Sequence, residues 1–302
     1  MGAVPALAVE PPRQNPQRSG DIPVIAHRGA HAQVPENTLS AFRKAIELHC
    51  DFVEMDVRST KDGALVILHD ATVDRTTNGS GNVAELPLSS IIAFYIANEP
   101  IRGERTSKSG RNGRICGGTR FIDSVGINRG LAAKNPNDAG LAAERVPTFD
   151  EALALCRGKI KVYVDHKTGT PVDVLAALER HEMLDSAVVY APVDRLREFK
   201  RLRPKLRVVS KCPAKRAEIA ALSTELQPLC LDGNILEWSR DRVDDAHKAG
   251  AQVWVDMLGP LDGPIGYLWA AKIGVDAMQT DHPETLLAWR DGIRREPSRA
   301  DR

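Results

Sequence analysis

Residues 24–70 read VIAHRGAHAQVPENTLSAFRKAIELHCDFVEMDVRSTKDGALVILHD. Val24, Ile25 and Ala26 form a short apolar run that delivers His27 and Arg28 to its C-terminal end. The sequence predicts a helix over 39–48, capped by Asn37 or Thr38, with Leu39, Phe42, Ile46 and His49 outlining its apolar side. Positions 52–58 then alternate: Phe52, Glu54 and Asp56 point one way, Val53, Met55 and Val57 the other. Only Ser59-Thr60-Lys61-Asp62-Gly63 separates this strand from the next apolar run. A parallel crossover needs about a dozen residues, and Asp-Gly is a turn signal, so 57–68 must be a hairpin. Its returning arm brings His69 back to the level of Asp56. Glu54, Asp56 and His69 therefore share one mouth.

Beyond Val146 strands and helices alternate. Thr148-Phe149-Asp150-Glu151 is a capping box that opens a helix over 149–156. Strands are expected over 161–165, 187–190, 207–210, 235–238, 252–256 and 276–279. Helices are expected near 171–181, 192–201, 213–224, 240–249, 263–272 and 283–293. With 24–26 and 52–58 and the hairpin arm set aside, eight strands result. Eight βα units point to a closed (β/α)₈ TIM barrel with a β-hairpin excursion after strand 2 and a segment inserted after His69-Asp70. A doubly wound sheet competes less well, because no glycine-rich phosphate loop follows the first strand.

The remainder is read more coarsely. Residues 1–20 are rich in proline and polar residues and read as a flexible leader; 21–302 then form one catalytic domain. Ala3-Val4-Pro5-Ala6-Leu7-Ala8 could be the stub of a processed export signal, so both a cytoplasmic and an exported or periplasmic location stay open. The stretch 71–146 reads as an inserted lid or subdomain with one short helix over 88–96. Between Ile101 and Lys134 it holds eight Lys or Arg against two acidic residues, a solvated face or a peripheral contact with anionic lipid. The net charge of +1 gives no reason to expect nucleic acid. No apolar run reaches the ~18 residues of a membrane span. Five scattered cysteines include no CxxC pair; they are core thiols or form one or two bridges.

In a barrel, groups at the C-terminal strand ends converge on one cavity. Here they are His27, Arg28, Glu54, Asp56, His69, Asp165, Lys167, Trp254, Asp256 and Asp281. Two carboxylates so close repel unless a cation lies between them, and Asp165 can add a third oxygen. Three carboxylates completed by water and substrate suit Mg²⁺ or Ca²⁺. A metal with Arg28 and Lys167 would neutralise a phosphate, and two histidines on opposite sides of phosphorus can serve as acid and base. This charge set predicts phosphodiester cleavage. Glu36 is expected to hold Arg28 or to face the site directly, Asp281 to cap the last helix or join the mouth, and Trp254 to be core or a substrate-facing wall.

The series HRG, PENT, ExD, TKDG, HD and a late TDHP resembles the glycerophosphodiester phosphodiesterase family, within the wider phosphatidylinositol-phospholipase-C-like barrels. The resemblance covers roughly 22–86 and 146–290. It implies that His27 and His69 are the catalytic pair, that Arg28 binds phosphate, and that Glu54 and Asp56 bind the metal. The family's usual third ligand is the glutamate of an E-x-K pair; here Asp165 and Lys167 stand in that place. Asp256 stands where relatives often carry asparagine, and could select a basic or hydroxyl-rich head group. The resemblance implies that a glycerophosphodiester is split to glycerol 3-phosphate and an alcohol, through a cyclic phosphate or not. Two alternatives are a lyase that releases a cyclic phosphate from lysophospholipid or sphingomyelin, and a non-catalytic barrel that binds phosphorylated ligands.

Overall fold

Eight short runs, most of them rich in β-branched or aromatic residues, pair side by side and parallel. They are β1 (Val24–Ala26), β2 (Phe52–Ser59), β4 (Lys161–His166), β5 (Ala187–Tyr190), β6 (Val208–Lys211), β7 (Cys230–Asn234), β8 (Gln252–Asp256) and β9 (Ala277–Thr280). The computed structural model describes residues 22–96 and 144–295. β1 pairs with both β2 and β9, which closes the sheet into a barrel. A ninth strand, β3 (Leu65–Ile67), runs antiparallel to β2 through Val57↔Ile67 and Ser59↔Leu65: the expected hairpin. β2 lies against β4 with Asp56 opposite Asp165, so two acidic residues far apart in sequence meet in register.

Helices cover the outside. α1 (Leu39–Glu47) is capped by Thr38, whose Oγ1 accepts from the Ala41 amide; Asn37 is thereby free for another role. The short α2 (Leu88–Ile91) lies in the inserted segment, and α3 (Phe149–Cys156) opens on the expected box, Thr148 and Glu151 bonding each other's amides. α4 (Pro171–Arg180), α5 (Val193–Leu202), α6 (Ile219–Leu226), α7 (Arg240–Lys248), α8 (Pro264–Ile273) and α9 (Pro283–Arg295) follow their strands. Val53, Met55 and Val57 face this shell and pack with residues such as Phe42, Phe149 and Leu153.

Inside the barrel each strand contributes one residue to a second buried cluster: Ile25, Phe52, Tyr163, Val188, Val209, Cys230, Trp254 and Ala277. Trp254 and Phe52 meet edge to face with centroids 5.0 Å apart. This layer is the floor of the mouth. A third cluster, Val66, Leu68, Val73, Val83, Ile91 and Val146, packs the described part of the inserted segment onto the hairpin.

Some elements differ from expectation. The strand expected over 235–238 is instead the 3₁₀ turn Ile235–Glu237, and the true strand is Cys230–Asn234. Asp232 and Gly233, both poor strand formers, hide it, and the apolar Ile-Leu-Glu-Trp run mimics one. The helix expected over 88–96 stops after one turn; Tyr95 and Ile96 instead make bridges to Arg145 and Thr77. The helix expected from 213 begins at Ile219, preceded by the 3₁₀ turn Arg216–Glu218. Cys50, Cys156, Cys212 and Cys230 are buried free thiols. The leader and the basic run of 101–134 with Cys116 lie outside the described residues.

Candidate active site

A strand's side chains recur with period two, so each floor residue has an inward-facing successor two positions on. These successors are His27, Glu54, Asp165, Tyr190, Lys211, Asp232, Asp256 and Gln279, an almost wholly polar ring above an apolar floor. Asp56 adds one further step along β2. The barrel thus changes from oil to chemistry within one residue pair.

Glu54 and Asp56 are almost fully buried. Glu54 Oε2 accepts the Arg28 amide at 2.7 Å. Asp56 Oδ2 accepts Asn37 Nδ2 at 2.7 Å, and its Oδ1 lies 3.1 Å from Lys167 Nζ, which also bonds Asp165 Oδ2 at 2.6 Å. One ligand atom from each of Glu54, Asp56 and Asp165 lies within 4.8 Å of the others. Burial, then Asp56 and Asp165, pushes Glu54 well above the usual carboxylate range. Burial pushes Asp56 up as well, but Lys167 and Arg28 outweigh it and hold that carboxyl down. Burial also lifts the Asp165 carboxyl, with Lys167 opposing. Three packed carboxylates facing two cations leave one negative charge uncompensated. A divalent cation plus a phosphodiester monoanion brings the set to neutrality, so these residues fit a hard, oxygen-bound ion.

Arg28 is held in an unusual backbone. It has φ of 52° and is followed by Gly29 at 84°. A Cβ on Gly29 would lie 2.6 Å from the Ala41 Cβ and 2.7 Å from its carbonyl carbon, so only glycine lets α1 pack under this turn. The Arg28 guanidinium gives Nη1 to Glu36 Oε1 at 3.0 Å, while its buried Nε makes no hydrogen bond and lies 3.5 Å from Asp56. Glu36 therefore acts on the site through Arg28, with both of its oxygens also bonded to Arg75.

The two histidines are held alike. His27 Nδ1 lies 2.7 Å from Asp281 Oδ1, and His69 Nδ1 lies 2.7 Å from Asp70 Oδ1. A carboxylate on Nδ1 takes the proton-bearing nitrogen and leaves Nε2 for proton transfer. Asp281 also takes His31 Nε2 at 3.1 Å, and its amide donates to Asp262. Burial pushes the Asp281 carboxyl up, but hydrogen bonds from His27 and His31 outweigh it and hold Asp281 well below the usual range. Arg58 fixes the other histidine's backbone, donating from Nε and Nη2 to the His69 carbonyl.

On the far side, Gln279 Nε2 donates to Asp256 Oδ1 at 2.9 Å. Burial, then the neighbouring Asp256, pushes Asp232 well above the usual range. Trp254 is only 3% exposed and its indole N–H turns down to Gln252 Oε1 at 2.9 Å, so it is floor and not a substrate-facing wall. Asp281 belongs to the site and does not cap α9. The sequence alone singles out neither His31, Asp70 and Arg75 nor the tie from Asn37 to Asp56. Asp70 beside His69 carries the plainest signal; His31 and Arg75 sit in loops whose course no periodicity reveals. Asp232 is hidden with its strand.

Residues 27–285 match the Glycerophosphoryl diester phosphodiesterase family. A glycerophosphodiester phosphodiesterase of Caldanaerobacter subterraneus subsp. tengcongensis is 30% identical over 270 residues, spanning 87% of this chain and 96% of that protein. Among solved structures, a glycerophosphodiester phosphodiesterase from Agrobacterium tumefaciens superposes with a TM-score of 0.69 at 22% identity, over 88% of this chain and 99% of that one. A phosphodiesterase from Oleispira antarctica, solved with its product sn-glycerol-3-phosphate, gives 0.67 at 21% identity, over 89% and 96%.

Proposed function

The chain belongs to the glycerophosphoryl diester phosphodiesterase family, and we propose that it hydrolyses glycerophosphodiesters to glycerol 3-phosphate and an alcohol with a divalent metal and a pair of histidines. The observation that carries this reading is the meeting, at one mouth, of a three-carboxylate cluster with two histidines each anchored through Nδ1. Glu54, Asp56 and Asp165 would hold the ion, Mg²⁺ or Ca²⁺, which when bound lowers the cost of charge on the phosphate oxygens.

Arg28 and Lys167 stand beside those carboxylates and take the phosphate's remaining charge. One histidine removes the proton from a glycerol hydroxyl next to the ester as that oxygen attacks phosphorus. The other gives a proton to the departing alcohol oxygen as its bond to phosphorus breaks. Water then opens the cyclic phosphate, with the two histidines exchanging roles. Asp281 and Asp70 keep both rings in the required tautomer. Asp256, on the side away from Lys167, contacts the alcohol or glycerol hydroxyls.

Phosphorus NMR with glycerophosphocholine and Mg²⁺ or Ca²⁺ tests the reading. Glycerol 3-phosphate is expected, with His27→Ala and His69→Ala each about 10²- to 10⁴-fold slower. A cyclic phosphate that persists would make the enzyme a lyase. Turnover by neither parent nor variants on a panel of diesters would leave a binding barrel.

A further inference from the structure

We propose that Arg75 is a positioning residue that straps the phosphate-binding loop to the acid–base loop, so that Arg28 and His69 are held as one unit, a role that rests on the diesterase reading above. Arg75 follows His69-Asp70 by five residues and reaches back across the mouth's edge. Its Nε and Nη2 donate to Asp70 at 2.5 and 3.2 Å, and its Nη2 and Nη1 donate to Glu36 at 2.6 and 3.2 Å. Each carboxylate in turn holds a residue of the site. Glu36 Oε1 accepts Arg28 Nη1 at 3.0 Å, and Asp70 Oδ1 accepts His69 Nδ1 at 2.7 Å. Charges therefore alternate from Arg28 through Glu36, Arg75 and Asp70 to His69.

A planar guanidinium can fork to two carboxylates at once; an ammonium is a point charge without that geometry. Arg75 is about half exposed, so its pairs add little to stability by themselves. Their consequence is orientation. Without the guanidinium, Glu36 and Asp70 repel each other across the joint, and Asp70 loses the partner that fixes its angle to His69. Burial pushes Asp70 up, yet Arg75 and His69 bring it down to about 2, so it stays ionised at working pH.

The test compares the parent, Arg75→Lys and Arg75→Ala in the metal-loaded protein with glycerophosphocholine. The alanine variant is expected to lose about 10- to 100-fold in kcat/KM, with kcat lower and KM higher, at an unchanged melting temperature. Methylguanidinium should restore part of the loss, and lysine should not. Independently of turnover, the His69 ring N–H held by Asp70 should exchange with water faster in Arg75→Ala, as proton NMR would show, because Asp70 has lost the partner that fixes it. The proposal is overturned by kcat/KM within twofold of the parent, by full rescue with lysine, by a loss that follows a lowered melting temperature without methylguanidinium recovery, or by an unchanged exchange of the His69 ring N–H. If the parent turns over no diester, the functional reading fails, and the ring N–H exchange still decides for or against the strap.

Discussion

Glu54 is buried beside two other carboxylates; burial and those neighbours together push its pKa well above the usual range, a conflict that a bound divalent ion would relieve. Glu54→Gln removes that conflict while keeping an oxygen for the Arg28 amide. The melting temperature of the metal-free variant should therefore match or exceed the parent's, and the rise on adding Mg²⁺ or Ca²⁺ should disappear, as thermal unfolding would show. Asn37→Ala should act more mildly. It leaves the Asp56 carboxylate without its 2.7 Å donor, and metal affinity should fall by about 10- to 100-fold in a calorimetric titration. Strand parity alone makes Glu54 and Asp56 legible as a pair in the sequence. What holds them is not legible there: Asn37 looks like a helix cap because it precedes α1, and only the folded chain shows Thr38 in that place.

At the scale of elements, the barrel floor and the turn under Arg28 carry the most consequence. Trp254 fills the interior against Phe52 and Tyr163, and Trp254→Ala should cost about 3–5 kcal/mol in denaturant unfolding through the cavity it leaves. Gly29→Ala should be worse for function than its effect on stability alone would suggest, since the added Cβ must displace either α1 or the turn that aims Arg28. The hairpin is readable because five residues cannot cross a sheet and Asp-Gly closes a turn. β7 is not, because the strand that carries Asp232 breaks the β-branched pattern at the point where it serves the polar ring. Local composition there answers to the cavity, not to strand propensity.

Over the whole molecule, the chemistry gathers at one end and the other end is tied by ordinary ion pairs. His247 Nε2 lies 2.7 Å from Asp276, whose same oxygen also accepts the Val253 amide. The Asp276 bond raises the His247 pKa above its usual value, against burial. That contribution is complete below the unfolded-state pKa of about 6.5 and is lost as pH rises through the higher folded value. His247→Gln should hence destabilise the protein more at pH 6 than at pH 9, by urea unfolding at the two values. The eightfold alternation of strands and helices is visible in the sequence because most units carry their own apolar runs, with capping side chains ahead of α1, α3, α4 and α7. The loop-borne supports are not: closure of the barrel brings Asp281 to His27 and His31, and Arg75 reaches Asp70 within a loop whose course no periodicity reveals.

Metal-dependent diester cleavage is tested most directly by phosphorus NMR of glycerophosphocholine with chelator-stripped protein, before and after Mg²⁺ or Ca²⁺ is returned. The stripped parent should be silent, glycerol 3-phosphate should form once the ion is restored, and Glu54→Gln should stay silent throughout. Undiminished turnover by the stripped parent, or by Glu54→Gln, would contradict a metal-dependent mechanism.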